Sequence, residues 1–156
     1  MNAPTRLPNQ KLLERAARQS QVVHALQTAL PKHALLWNSE DTTPYECDGL
    51  TAYRERPLVV ALPETYAEVR AVLEICHALD VPVVARGAGT GLSGGAMPHK
   101  LGVTLSLAKF NKILKMDPAS RTAACRVVYA IWRFLTLRHR TASTTHPTLP
   151  ARSPAP

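Results

Sequence analysis

Nothing limits what this chain can fold into more than Val81–Gly95, Val-Pro-Val-Val-Ala-Arg-Gly-Ala-Gly-Thr-Gly-Leu-Ser-Gly-Gly. Five of the seven glycines fall between Gly87 and Gly95. A short apolar run, Val81 to Ala85, stops abruptly in backbone with almost no side-chain bulk. The pattern predicts a buried strand that ends in a loop meant to lie against something. Glycine permits positive φ and close approach, and successive N–H groups form a concave nest suited to phosphate oxygens. Arg86 at the lip adds a permanent charge with a planar donor fork. The stretch therefore reads as a cradle for a dinucleotide pyrophosphate.

Two standard phosphate motifs fail here. There is no Gly-Lys-Ser/Thr ending, so the loop is not a Walker A site. Gly87-x-Gly89-x-Gly91 misses the Rossmann spacing, and Leu92-Ser93-Gly94-Gly95-Ala96-Met97-Pro98 cannot begin a long helix to carry a pyrophosphate on its N-terminus. Loop amides must then hold the phosphates, helped by Thr90, Ser93 and Arg86.

The flanks supply the scaffold. Leu58-Val59-Val60-Ala61-Leu62 is a continuous apolar run of strand length ended by Pro63. Thr65-x-x-Glu68 fits a capping box, and Val69, Val72, Leu73 and Cys76 follow at i, i+3, i+4 and i+7, one face of a helix running to about Leu79. Strand, capped helix and the Val81–Ala85 strand form a βαβ unit with parallel strands. Gly102–Leu107 gives a third strand, and Arg121 to about Ala123 begins another. Upstream, Asn9 to Leu30 reads as a helix on Leu12, Leu13, Ala16, Val23, Leu26 and Leu30, closed by Pro31. Lys32 to Tyr53 lacks periodicity and reads as a loop. Its acids, Glu40, Asp41, Glu46 and Asp48, fit a solvated acidic loop better than a metal site. The fold class is α+β with an α/β-like βαβ start.

The formal charge of +8 suggests nucleic acid until its position is considered. All eleven acids lie at or before Asp117, while Arg126 to Pro156 holds five arginines and no acid. The excess belongs to the tail and says little about partners of the folded part. Cys47, Cys76 and Cys125 are far apart and fit reduced thiols in a cytoplasmic protein. Lys11, Glu14 and Arg15 interrupt the N-terminus before any signal-peptide core develops. No apolar run approaches the roughly 20 residues of a membrane span.

The runs Asp48–Pro63 (Asp-Gly-Leu-x-Ala-Tyr-Arg-x-Arg-Pro-Leu-Val-Val-x-Leu-Pro) and Val81–Ala96 resemble the FAD-binding subunits of glycolate oxidases. These belong to the FAD-linked oxidases with a vanillyl-alcohol-oxidase (PCMH) type flavin domain. The resemblance covers about Asn9 to Ala123. It implies FAD with its pyrophosphate on Arg86, Gly87, Ala88, Gly89, Thr90, Gly91, Leu92, Ser93, Gly94 and Gly95. Thr90 stands where some relatives carry a flavin-linking histidine, which implies non-covalent FAD. The family chemistry is oxidation of a D-2-hydroxy acid such as glycolate or D-lactate, with electrons passed onward by further FAD-binding and iron–sulfur subunits. Family members run to several hundred residues, so no catalytic residue carries over.

Beyond Ala123 the resemblance stops in this reading frame. Family segments Arg-Asn-Leu-Ala, Gly-Leu-Tyr-Tyr and Ser-Gln-Ile-Ala, in GC-rich codons read one base late, become Ala130–Arg133, Ala142–Thr145 and Ala151–Pro154. The expected organisation is a helical segment (residues 1–31), a partial PCMH-type FAD-binding domain (32–123) and an out-of-frame, disordered tail (124–156) in which Trp132, His139 and His146 have no selected role. The domain part is expected to show an unpaired sheet edge and exposed apolar surface, with weak FAD binding and poor solubility. Two other readings stand beside an inactive oxidoreductase piece. One is a half-domain completed by another polypeptide. The other is a basic-tailed nucleic-acid binder, which predicts salt-dependent DNA affinity lost on cutting after Ala123.

Overall fold

A computed structural model describes residues 8–126 except 118 and 121. The tail from 127 onward, with Trp132, His139 and His146, lies outside the described residues. Helix α1 is Pro8–Leu26, and a turn carries the chain to Leu30. A 3-10 turn (Lys32–Ala34) leads into β1 (Leu35–Leu36), the four-residue α2 (Ser39–Thr42) and a second 3-10 turn (Thr43–Tyr45). Then come β2 (Val59–Ala61), α3 (Tyr66–Ala78), β3 (Val83–Arg86), β4 (Val103–Ser106), β5 (Ile113–Asp117) and β6 (Thr122–Cys125).

The first four strands form one sheet in the order β1-β2-β4-β3, and β5 pairs with β6 in a separate antiparallel hairpin. The expected βαβ unit is present, but its strands do not touch. β4 lies between β2 and β3 and runs parallel to both, with Val59 and Val83 flanking Val103. β4 is therefore the buried centre, and all four of its residues are closed to solvent. β3, expected to be buried, is instead an edge strand with half-exposed residues. β1 went unread in the sequence because two residues carry no periodicity. It closes the other edge antiparallel to β2.

Alternation along the strands sends Val59, Ala61, Val103 and Leu105 into the main core. There they meet Val22, Val23 and Leu26 of α1 and Val72 and Cys76 of α3. Leu12, Leu13 and Leu73, read as core, are 66, 70 and 45% exposed, so only the C-terminal half of α1 is packed. α1 is also laced to the ends of the sheet through its polar side chains. Arg15 donates to the Arg56 and Pro57 carbonyls at 3.2 Å, and Gln19 donates to the Trp37 and Leu58 carbonyls.

The capping box forms as read. Glu68 N–H donates to Thr65 Oγ1, and Thr65 N–H donates to the Glu68 carboxylate, both at 3.2 Å. α3 ends on Asp80, whose φ is +51°. Asp80 N–H reaches the His77 carbonyl and Val81 N–H reaches the Cys76 carbonyl, a Schellman closure that normally takes glycine.

Candidate phosphate cradle

Side chains of β3 alternate between the two faces of the sheet. Val83 packs on the helix-covered core, so Arg86, three residues on, stands on the opposite face. The chain there leaves β3 and turns through Gly87 to Pro98 without regular structure. The Arg86 guanidinium does not hang free at the lip. Its Nη1 donates to the Cys47 carbonyl at 2.7 Å, and the group lies 5.6 Å from the centre of the Tyr45 ring. Gly89 has φ +71°, and a Cβ at that position would run into the same guanidinium. Gly94 has φ +74° and closes a turn in which Met97 N–H donates to its carbonyl.

Much of the other wall comes from the segment expected to be a solvated acidic loop. Asp48 is only 4% exposed. Its Oδ1 accepts from Leu50 N–H at 2.9 Å, and its Oδ2 accepts from Ala96 N–H at 3.4 Å, across the mouth of the glycine loop. Gly49 sits so close to that loop that a Cβ would lie 2.7 Å from the Thr90 oxygen and 2.8 Å from the Gly91 oxygen. Two of the other acids have local partners: Glu46 pairs with Arg54 at 2.9 Å, and Asp41 accepts from Asn38. Among the described residues, no three metal-ligating side chains come together. An Asp-Gly pair reads in sequence as a turn, and nothing local shows that it faces another loop.

The outer side of the cradle is open. At Gly87, Gly91 and Gly95 the space a Cβ would take holds no atom within 4 Å. Ala88, Thr90, Leu92 and Ser93 are exposed. The loop thus offers unscreened backbone on one side and is braced by Arg86 and Asp48 on the other. The Asp48 carboxylate spends its acceptors on two backbone N–H groups on the braced side of the loop.

Comparison with known proteins fits this geometry. A family model described as an FAD binding domain matches residues 57–127. Glycolate oxidase subunit GlcD of Escherichia coli (strain K12) is 53% identical over 102 residues, 65% of this chain and 20% of the relative. The chain carries a GlcD-like portion of an FAD-binding domain. D-2-hydroxyglutarate dehydrogenase of Xanthomonas citri pv. viticola is 38% identical over 98 residues, covering 63% of this chain and 21% of that enzyme. Among solved structures, p-cresol methylhydroxylase with substrate bound superposes with a TM-score of 0.72 at 22% identity. That match covers 80% of this chain and 25% of that one, and it shows the same fold. The matched stretch spans about a fifth of the length of these curated relatives. The residues present fit the cofactor, since open-sided glycines let a pyrophosphate approach the backbone. Among the described residues no helix is long and apolar enough to cross a membrane.

Proposed function

We propose that this chain supplies the pyrophosphate-holding part of the FAD site of an oxidoreductase acting on D-2-hydroxy acids. The observation that carries the reading is the braced loop Arg86–Gly95, open on its outer face, within a stretch similar to GlcD. Backbone N–H groups of Gly87 to Gly95 hold the phosphate oxygens, with the Thr90 and Ser93 hydroxyls beside them. Arg86 shapes the loop through Cys47 and Tyr45 and lends its charge from behind. Thr90, standing where a flavin-linking histidine would be, supports non-covalent binding of the cofactor. Bound flavin supplies the acceptor for the hydride leaving the α-carbon of a substrate such as glycolate or D-lactate. No residue of this chain is assigned to catalysis. Further FAD-binding and iron–sulfur subunits act as partners in electron transfer, in the cytoplasm.

Flavin binding by the purified chain tests this reading, followed by quenching of FAD fluorescence and the visible flavin spectrum. Saturable binding that disappears in Gly89→Val is expected, because any side chain there displaces Arg86. A folded sample that takes up no FAD would refute it.

A second reading is favoured by the half-exposed edge strand β3 and by Tyr53 and Leu92, which are 67 and 73% exposed. These surfaces suit a half-domain completed by another polypeptide, and flavin retained only with a second chain would establish it. For the tail we propose a one-base shift of reading frame near Ala123–Ala124. Sequencing the coding DNA tests it, and the absence of a long family-like frame one base away would end it.

A further inference from the structure

Three polar side chains on one stretch of α1 reach the same end of every strand in the main sheet. β1 runs antiparallel to β2, so its end lies where β2 starts. Gln19 Nε2 donates to both there, at 3.0 Å to the Trp37 carbonyl and 2.7 Å to the Leu58 carbonyl. Arg15 spans the next pair. Its Nη2 donates to the Arg56 and Pro57 carbonyls ahead of β2, and its Nε donates at 3.4 Å to the Lys100 carbonyl ahead of β4. Arg18 takes the last strand, where its Nη2 donates to the Leu79 carbonyl and, at 3.3 Å, to the Asp80 carbonyl ahead of β3. Residues 15, 18 and 19 share one helix face, and between them they meet each strand of the order β1-β2-β4-β3.

The Arg18 contact bears directly on the glycine loop. β3 is an edge strand paired only with β4, and the loop hangs from its end. Its beginning follows Asp80, held at φ +51°, so Arg18 grips the chain at the bend from which β3 is aimed. Gln21 Oε1 accepts from Arg18 Nη1 at 2.9 Å and steadies it. Hydrogen bonds from a charged donor are the stronger kind. We infer that Arg15, Arg18 and Gln19 are positioning residues, a strap by which α1 holds the strands together at one end, and that Arg18 seats β3 and with it the glycine loop. The effect of the strap on cofactor affinity rests on the FAD reading, whereas the seating of β3 does not.

Amide hydrogen exchange of the full chain, read residue by residue by NMR beside FAD fluorescence quenching, tests the inference. Arg18→Met keeps an apolar stem and removes the donors. It is expected to speed exchange by about tenfold at β3 and at Val103 N–H, which donates to the Pro82 carbonyl, the loss of one charge-assisted hydrogen bond. Leu58 N–H, which donates to the Gly102 carbonyl, and Glu68 N–H, in the capping box, should keep their native rates. FAD affinity should fall by a similar factor. Arg70→Ala, which removes an arginine from an exposed pair on α3, should change none of these. If Arg18→Met does not fold, Gln19→Leu decides: it should speed exchange at Leu36, paired with Val60, and leave β3 at its native rate. Native rates at β3 in Arg18→Met, native rates at Leu36 in Gln19→Leu, or equal acceleration of every strand in either variant would overturn the inference. A loosened β3 with native FAD affinity would overturn the seating of the loop and leave the FAD reading standing. No FAD uptake by the native chain, with β3 loosened in Arg18→Met, would remove the FAD reading and leave the strap in place.

Discussion

Thr104 on β4 and Cys76 on α3 each carry a polar group where solvent does not reach. Thr104 is fully buried in β4, and its Oγ1 has no hydrogen-bond partner among the described residues. A buried hydroxyl without a partner costs about 1–3 kcal/mol. Thr104→Val, similar in shape, is expected to raise the stability of the chain by about 1 kcal/mol in denaturant unfolding. Cys76 is buried among apolar side chains of the main core, and burial pushes its thiol up to about 11 from 9.0. The unfolded thiol ionises first, so the contribution is intact below pH 9 and is lost as pH rises from 9 toward 11. Two pH units correspond to about 2–3 kcal/mol. Native protein should therefore lose that much more stability over this range than Cys76→Ala, measured as the difference in pH slope. Cys76 was legible in the sequence because it falls on the apolar stripe of a capped helix. The burial of Asp48 was not. Its environment is made by a loop about fifty residues away, and no local pattern announces such a partner.

α3 is the element that the sequence states most openly. A capping box, an i, i+4 pair between Arg70 and Glu74 at 2.7 Å, and an apolar face all agree on it. Its far end is less well made. Asp80 takes a left-handed conformation that a β-carbon disfavours. Asp80→Gly is expected to stabilise the chain by about 0.5–1 kcal/mol, and Asp80→Val to destabilise it by more than 1 kcal/mol, both measured by thermal unfolding. β2, β3 and β4 were legible as apolar runs, but their order was not. A βαβ reading makes β2 and β3 neighbours, and only the register shows β4 between them. β6 runs through Ala123 and Ala124 to Cys125. Just after it, the Arg126 guanidinium lies over the Tyr66 and Phe110 rings, at 5.5 and 5.0 Å, and donates to the Glu64 carbonyl. Arg126, counted with the basic tail by its sequence, packs against the start of α3 instead.

Across the molecule, one face of the sheet carries α1 and α3, and Arg86 leaves the other toward the Tyr45–Gly49 segment. The motif Arg-Gly-x-Gly-Thr-Gly singles out in sequence the loop proposed to face the cofactor, since successive glycines leave its backbone open. Its supports are spread over the chain, and the fold alone brings them together. Exposed Leu92, Tyr53 and Leu114 lie outside any core among the described residues.

The placement of β4 also bears on how the protein comes to be made. A chain leaving the ribosome presents β2, α3 and β3 first, yet the two strands cannot join until Val103–Ser106 has emerged to sit between them. Until then α3 has no finished sheet to cover, and the glycine loop hangs from an unpaired strand. Joining β3 to the β1–β2 pair is thus a late closing step, set by long-range parallel pairing through β4, which is the slow kind. The newborn chain passes through an interval in which its most apolar strands are uncovered and open to capture by chaperones or by one another.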